Sequence, residues 1–265
     1  MIKLQNLIKE ELANTPINGE KIMSLLGSKY SVSHEFATEE KVRLYRGCYL
    51  TNTEVYPTKN ERVSRDFNNL YTVLLSNLPS WKGWPRRSFC LIFTNDKTAI
   101  AGGKNESFVF PENGSKIVAA AKQDVILYEA SPFLYENFGT ALNRLGNVFW
   151  LTLSRMTIPV EGFFFKTIKY KDYQTFINFI NEKLTPEILW EYQKGGYLKD
   201  LAGEQMINLF IEEREKFNGN WESFLSYYMD PIKNKFQLVD IKNIGDIKHD
   251  SEMWTENDCL MTDIY

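Results

Sequence analysis

The chain is predicted to be an α+β protein in which a largely helical insertion interrupts a sheet. Three observations lead there. Strand-like segments gather at residues 42–128 and 236–265. Helical segments precede them and fill most of the interval from 133 to about 219. The composition, 43% apolar and 25% charged over 265 residues, is that of an ordinary globular protein. Strands separated by a block of helices read as an α+β arrangement rather than as alternating βα units.

The elements follow from local spacing. Residues 1–30 read as helices: Ile2, Leu4, Leu7, Ile8 and Leu12 recur at helical intervals, and Asn14-Thr15-Pro16 breaks the run. A second stripe of Ile22, Leu25 and Leu26 ends at Gly27. Val42 to Leu50 alternates as a strand does. Residues 64–78 place Phe67, Leu70, Tyr71, Leu74 and Leu75 on one helical stripe, with Ser64 as a possible N-cap. Ser88 to Thr94 is a buried-strand run closed by the turn-formers Asn95-Asp96. Strands are expected at Ser107–Phe110, Lys116–Ala120 and Asp124–Tyr128. Helical stripes at Phe176, Ile177, Phe179 and Ile180, and at Met206, Leu209 and Phe210, mark the insertion. Strand character returns at Phe236–Ile241, and two short strand-like pieces close the chain at Glu252–Thr255 and Cys259–Tyr265.

Composition excludes several classes. A net charge of −3 gives no chain-wide basic footprint for holding duplex DNA. The three cysteines, Cys48, Cys90 and Cys259, are widely spaced, and with only two histidines a structural zinc site is not expected. They read as reduced thiols packed like small apolar residues. Met1 to Asn6 lacks the basic and apolar pattern of a signal peptide, and no apolar run approaches the roughly 18 residues of a membrane span. A soluble, cytoplasmic protein without membrane contact is the expectation. No GxxxxGK[ST] loop, GxGxxG turn, HExxH or GxSxG motif occurs. A Ser–His–Asp triad would have to use His34 or His249, the latter beside Asp250.

Three islands carry chemistry when taken together. Tyr45-Arg46-Gly47 sets an arginine in mid-strand, where its guanidinium either faces solvent or meets an anion or a set of acceptors. Arg87 to Asp96 reads as a buried strand with a hydroxyl at each end, Ser88 and Thr94. Asp250-Ser251-Glu252 sets two acids two residues apart, so on a strand both face one side and each raises the other's proton affinity.

In their order, these islands resemble the mono-ADP-ribosyltransferase family of the arginine–serine–glutamate type, found among bacterial toxins and phage effectors. The resemblance implies one ADP-ribosyltransferase-like domain over 1–265, with a split β-sheet core, N-terminal helices and 133–235 as the helical insertion. It implies NAD as the substrate and no metal. Arg46, with Gly47, would hold the pyrophosphate or the nicotinamide-side ribose. Thr94 or Ser88 would orient the nicotinamide end. Glu252 would bind the ribose 2′-hydroxyl and stabilise the positive charge that develops as nicotinamide leaves, and Asp250 would help activate the acceptor. Thr94-Asn95-Asp96 stands where the family has Ser-Thr-Ser, and Asp-x-Glu where arginine-modifying members have Glu-x-Glu. The acceptor therefore stays open between a protein side chain and RNA or DNA. A neutralising antitoxin partner would accompany a toxic activity.

Two other readings remain open on sequence. One is a catalytically degenerate regulatory protein that binds a partner through its aromatic-rich helical segment; the composition includes 18 Phe, 14 Tyr and 6 Trp. The other is a nuclease or glycosidase built on acidic clusters and Arg86-Arg87. The basic stretch Arg62, Arg65, Lys82, Arg86 and Arg87, with Trp81 and Trp84 among it, reads either as a surface for single-stranded nucleic acid or as a solvated loop.

Overall fold

A computed structural model describes residues 19–39, 42–48, 54–56, 60–62, 69–100, 105–120, 168–188, 190, 211–212, 214–247 and 251–262. The first helix expected from sequence, the strand at Asp124–Tyr128, the Met206–Phe210 stripe, His249 and Asp250 lie outside them. The protein is a mixed helix-and-sheet molecule with an antiparallel sheet. It divides into two compact units. The first comprises Met1–Asn60, Phe89–Gln123 and Gln237–Tyr265; the second comprises Glu61–Ser88 and Asp124–Phe236. The second unit thus takes in the stretch read as an insertion, begins it earlier, and adds Glu61–Ser88.

The first unit holds all the described strands. In chain order it contains helices α1 (Gly19–Leu26) and α2 (Ser31–Thr38) and strands β1 (Tyr45–Cys48), β2 (Glu54–Tyr56), β3 (Leu91–Thr94), β4 (Asn105–Pro111), β5 (Lys116–Ala119), β6 (Gln237–Asp240), β7 (Glu252–Thr255) and β8 (Cys259–Thr262). Among the described residues these strands form one eight-stranded sheet in the order β2-β8-β4-β1-β3-β7-β5-β6. Each described pairing is antiparallel.

That order cannot lie flat. Strands β7 and β8 are four places apart in the sheet, which in a flat sheet is about 19 Å at ~4.8 Å per strand. The chain from Thr255 to Cys259 reaches at most about 14 Å. The sheet therefore folds into two halves, β2-β8-β4-β1 and β3-β7-β5-β6. The hinge is the junction of β1 and β3, which share a single residue pair, Tyr45 with Thr94. The halves enclose a common core. Leu44, Val109, Cys259 and Met261 come from one half, Leu91, Phe93, Ile117, Ala119 and Met253 from the other, and Ile241, Ile244 and Ile247 from the 3₁₀ segment after β6 and the residue beyond it join them. On the outside of the first half, Ile22 and Leu26 of α1 and Ala37 of α2 pack with Tyr30 on Phe110 and Leu260.

Two turns tie the helices to this frame. Asn113, in the turn after β4, accepts from the Val32 amide (3.0 Å) and donates to the Ser28 carbonyl (2.8 Å) and the Ser31 hydroxyl (3.0 Å), which caps the start of α2. Gly114 follows at φ +79, a value an L side chain rarely adopts. The Glu112 amide donates to the Asp258 carbonyl at 3.0 Å, joining this turn to the one between β7 and β8. Lys29 bridges Glu112 (2.8 Å) and Asp258 (3.3 Å), and the hydrogen bond to Glu112 raises its pKa above the usual lysine range. Asn113→Ala removes the cap and the two donors together and is expected to cost about 1–2 kcal/mol, read by urea denaturation. Asn113→Asp keeps the oxygen that accepts from Val32 and should recover part of that loss.

The second unit is helical where described, with α3 (Asn69–Asn77), α4 (Tyr173–Lys183) and α5 (Trp221–Tyr228). Helix α3 is buried on nearly every side, including Asn69, Thr72 and Ser76. Asn220 caps α5 by accepting from the Ser223 amide at 2.8 Å. No described helix is long and apolar enough to cross a membrane.

Candidate functional site

The site is built from the order of the sheet. Strand β3 lies between β1 and β7, so the strands carrying Arg46, Thr94 and Glu252 are consecutive neighbours. Thr94 is paired directly with Glu252, and Tyr45 directly with Thr94. Tyr45 is in turn paired with Phe108, their rings 5.6 Å apart. Directly opposed residues share a face, so Phe108, Tyr45, Thr94 and Glu252 form one row across four strands. All four side chains are half-buried. The row runs aromatic, aromatic, hydroxyl, carboxylate.

Arg46 sits one residue off that row. Strand alternation turns its Cβ to the other face, the one that carries Leu44 into the core. Its guanidinium nevertheless stays at the junction, where Nη1 donates to the Ile92 carbonyl of β3 at 2.5 Å. A ladder continued from Tyr45 and Thr94 would offer that carbonyl the Gly47 amide. The two strands diverge instead, and the arginine spans the opening. Gly47 itself is paired with Glu106 of β4, whose carboxylate holds Lys97 at 2.6 Å and raises the lysine pKa.

The turn after β3 is an interlocked set of side-chain bonds. The Thr94 hydroxyl accepts from the Asp96 amide at 3.0 Å, and Asp96 accepts from the Thr98 amide and hydroxyl, each at 2.8 Å. Between them, Asn95 Oδ1 accepts from the Ser251 amide at 3.1 Å, across 156 residues of sequence. Ser251 is buried, and the next residue is Glu252, whose carbonyl accepts from the Ala120 amide at 2.8 Å. The backbone of Glu252 is held from both sides.

Ser88 is not part of strand β3. The strand begins at Leu91, and Ser88 lies in a 3₁₀ turn, Arg87–Phe89, within the second unit. Its amide donates to the Ser76 hydroxyl at 2.8 Å, its own hydroxyl lies 3.0 Å from that oxygen, and its carbonyl accepts from the Arg62 amide. Its backbone groups are used locally and leave nothing for a ladder. Asp250 lies outside the described residues, so the pairing of the two acids is read from sequence alone.

The basic and aromatic loop likewise changes character. Trp81 is buried, with Nε1 donating to the Met229 carbonyl at 2.7 Å and its ring edge-on to Phe236 at 4.9 Å. Trp84 meets the edge of Trp81 at 5.5 Å. Arg87 is buried with its guanidinium over Tyr71, and exposed Arg86 lies over Tyr170. Trp81 thus belongs to a core, while the rings of Tyr71, Trp84 and Tyr170 are half-buried. Cys90 and Cys259 are buried, and burial pushes the Cys259 thiol well above its ordinary range. Among the described residues no group of three or more His, Cys, Asp or Glu could hold a metal ion.

Asn95 and Tyr45 are the site residues that sequence reading missed as participants. The signal for Tyr45 was present in its place beside Arg46. Asn95 carried only the signature of a turn.

Comparison of the chain with protein-family models, with curated proteins and with solved structures found no match.

Proposed function

We propose that the first unit binds NAD and transfers its ADP-ribose to a macromolecular acceptor. One observation carries the reading. Arg46, Thr94 and Glu252, far apart in sequence, lie on three consecutive strands, with Thr94 opposite Glu252 and Arg46 at the opening between the halves. A guanidinium, a hydroxyl and a carboxylate form the donor and acceptor set that a pyrophosphate-linked dinucleotide needs.

In this reading Arg46 and Gly47 hold the pyrophosphate or the adjoining ribose. Thr94 orients the nicotinamide end; Ser88 is not given that part, since its hydroxyl lies against Ser76 in the second unit. Glu252 accepts a hydrogen bond from the ribose hydroxyl and stabilises the positive charge that develops on the ribose. The glycosidic bond breaks, its electron pair leaves with nicotinamide, and a lone pair of the acceptor forms the new bond. Asp250 takes the acceptor's proton. A fixed carboxylate serves this step because its attraction is stronger for the charged transition state than for the ground state. Such an activity harms the cell in which it acts, so a toxin or host-modifying effector with a neutralising partner is the biological setting that fits it.

Labelled NAD incubated with the protein and a cell extract is expected to yield labelled protein or nucleic acid, and nuclease and protease digestion then tell the acceptors apart. In parallel, NAD at 100 times its dissociation constant should stabilise the fold by about 2.7 kcal/mol. Absence of both overturns the proposal. That result favours the degenerate, partner-binding reading, which the replacement of Ser-Thr-Ser by Thr94-Asn95-Asp96 supports.

A further inference from the structure

We infer that Asn95 is a positioning residue for Glu252, an inference that rests on the reading of Glu252 as the charge-stabilising carboxylate. Strands β3 and β7 pair backbone to backbone from Leu91 with Thr255 to Thr94 with Glu252, where the ladder ends. Glu252 is therefore the first residue of its strand, a place where the backbone would otherwise fray. Asn95 extends the pairing by one step. Its Oδ1 takes the amide of Ser251 (3.1 Å) where a backbone carbonyl of a longer β3 would have stood. The chain of β3 has already turned away there, because Thr94 Oγ1 and Asp96 close a tight turn at 3.0 Å.

The geometry separates two tasks. Thr94 shares the face and the row of Glu252, so it bears on the carboxylate's surroundings. Asn95, one residue on, contacts the backbone of the preceding residue and sets the carboxylate's height along the strand. With the Glu252 carbonyl anchored by the Ala120 amide at 2.8 Å, the residue is fixed on both flanks. An aspartate at 95 keeps an acceptor oxygen for the Ser251 amide, whereas alanine has none.

Steady-state NAD turnover of the full chain tests this with Asn95→Ala and Asn95→Asp. Misplacing a catalytic group by a fraction of its reach lowers the chemical step more than substrate binding. Asn95→Ala is expected to lower kcat on the order of ten-fold, with KM for NAD unchanged within about two-fold, and Asn95→Asp to restore most of the rate. Amide hydrogen exchange at Ser251 should accelerate in Asn95→Ala and stay slow in Asn95→Asp. Wild-type turnover with an unchanged Asn95→Ala rate, or with Asn95→Asp as slow as Asn95→Ala, overturns the role of Asn95 and leaves the functional reading standing. No turnover by the wild type overturns the functional reading, and the catalytic role of Asn95 with it. Unchanged exchange at Ser251 in Asn95→Ala also overturns the positioning role.

Discussion

Glu252→Gln is expected to lower NAD-dependent transfer by about 10²–10³-fold while leaving NAD binding close to that of the wild type. Glutamine keeps the size of the side chain and an oxygen for the ribose hydroxyl, and it removes only the negative charge. An interaction that grows as charge develops affects kcat, and losing one such group typically costs about 2.7–4 kcal/mol of transition-state stabilisation. The fold should tolerate the change. The side chain is half-buried, and the backbone is held by the pairing with Thr94 and by the Ala120 amide. Initial rates with labelled NAD, beside thermal melts with and without NAD, measure the two quantities separately. Equal transfer by wild type and Glu252→Gln removes Glu252 from the chemistry. A collapse of the melting temperature without NAD would instead assign it a role in stability.

Trp221→Ala is the substitution expected to destabilise the second unit most, by about 3–5 kcal/mol in urea denaturation. Trp221 is fully buried at the start of α5. Its Nε1 donates to the Leu184 carbonyl at 3.1 Å, and its own amide donates to Asn181 at 2.7 Å. Its ring meets the edge of Phe224 at 5.4 Å and lies under the Arg214 guanidinium at 5.3 Å. Gly219, at φ +69, leaves room for that guanidinium, since a Cβ there would stand 3.3 Å from it. Alanine would open a cavity, leave the Leu184 carbonyl without its donor, and deprive a buried cation of its ring. Trp221→Phe separates these effects: it keeps much of the volume and loses the N–H, at about 1–3 kcal/mol. A loss below 1 kcal/mol for Trp221→Ala would show that the site collapses around the smaller side chain.

Legibility in the sequence followed how local each feature is. Alternation around Leu44, Tyr45 and Arg46, the apolar run Leu91-Ile92-Phe93 and the paired pieces at Glu252 and Cys259 each predict a strand, and β1, β3, β7 and β8 lie there. Periodicity likewise marked α1 and α4. The apolar run after Ser88 predicts a strand that begins there, whereas β3 begins at Leu91. The place of Ser88 in a turn is set by Ser76 and Arg62, which spacing along the chain cannot reveal. Trp81 and Trp84, basic neighbours included, read on sequence as a surface for single-stranded nucleic acid or as a solvated loop. Met229, 148 residues onward, and Phe236 beyond it place Trp81 in a core instead.

The sequence by itself determined the mixed helix-and-sheet character and the local positions of α1, α4, β1, β3, β7 and β8, and it offered Arg46, Thr94 and Glu252 among its candidate residues. These depend on periodicity and side-chain chemistry, which act over a few residues. Only the tertiary structure decided that β3 separates β1 from β7, that Thr94 faces Glu252, and that Arg46 stands on the opposite face and spans the opening to Ile92. It also brought Asn95 to Ser251. Pairing between strands so distant in the chain comes from burying the shared core of the two half-sheets. The short link from Thr255 to Cys259 forces that folding, and no local preference encodes the distance it has to span.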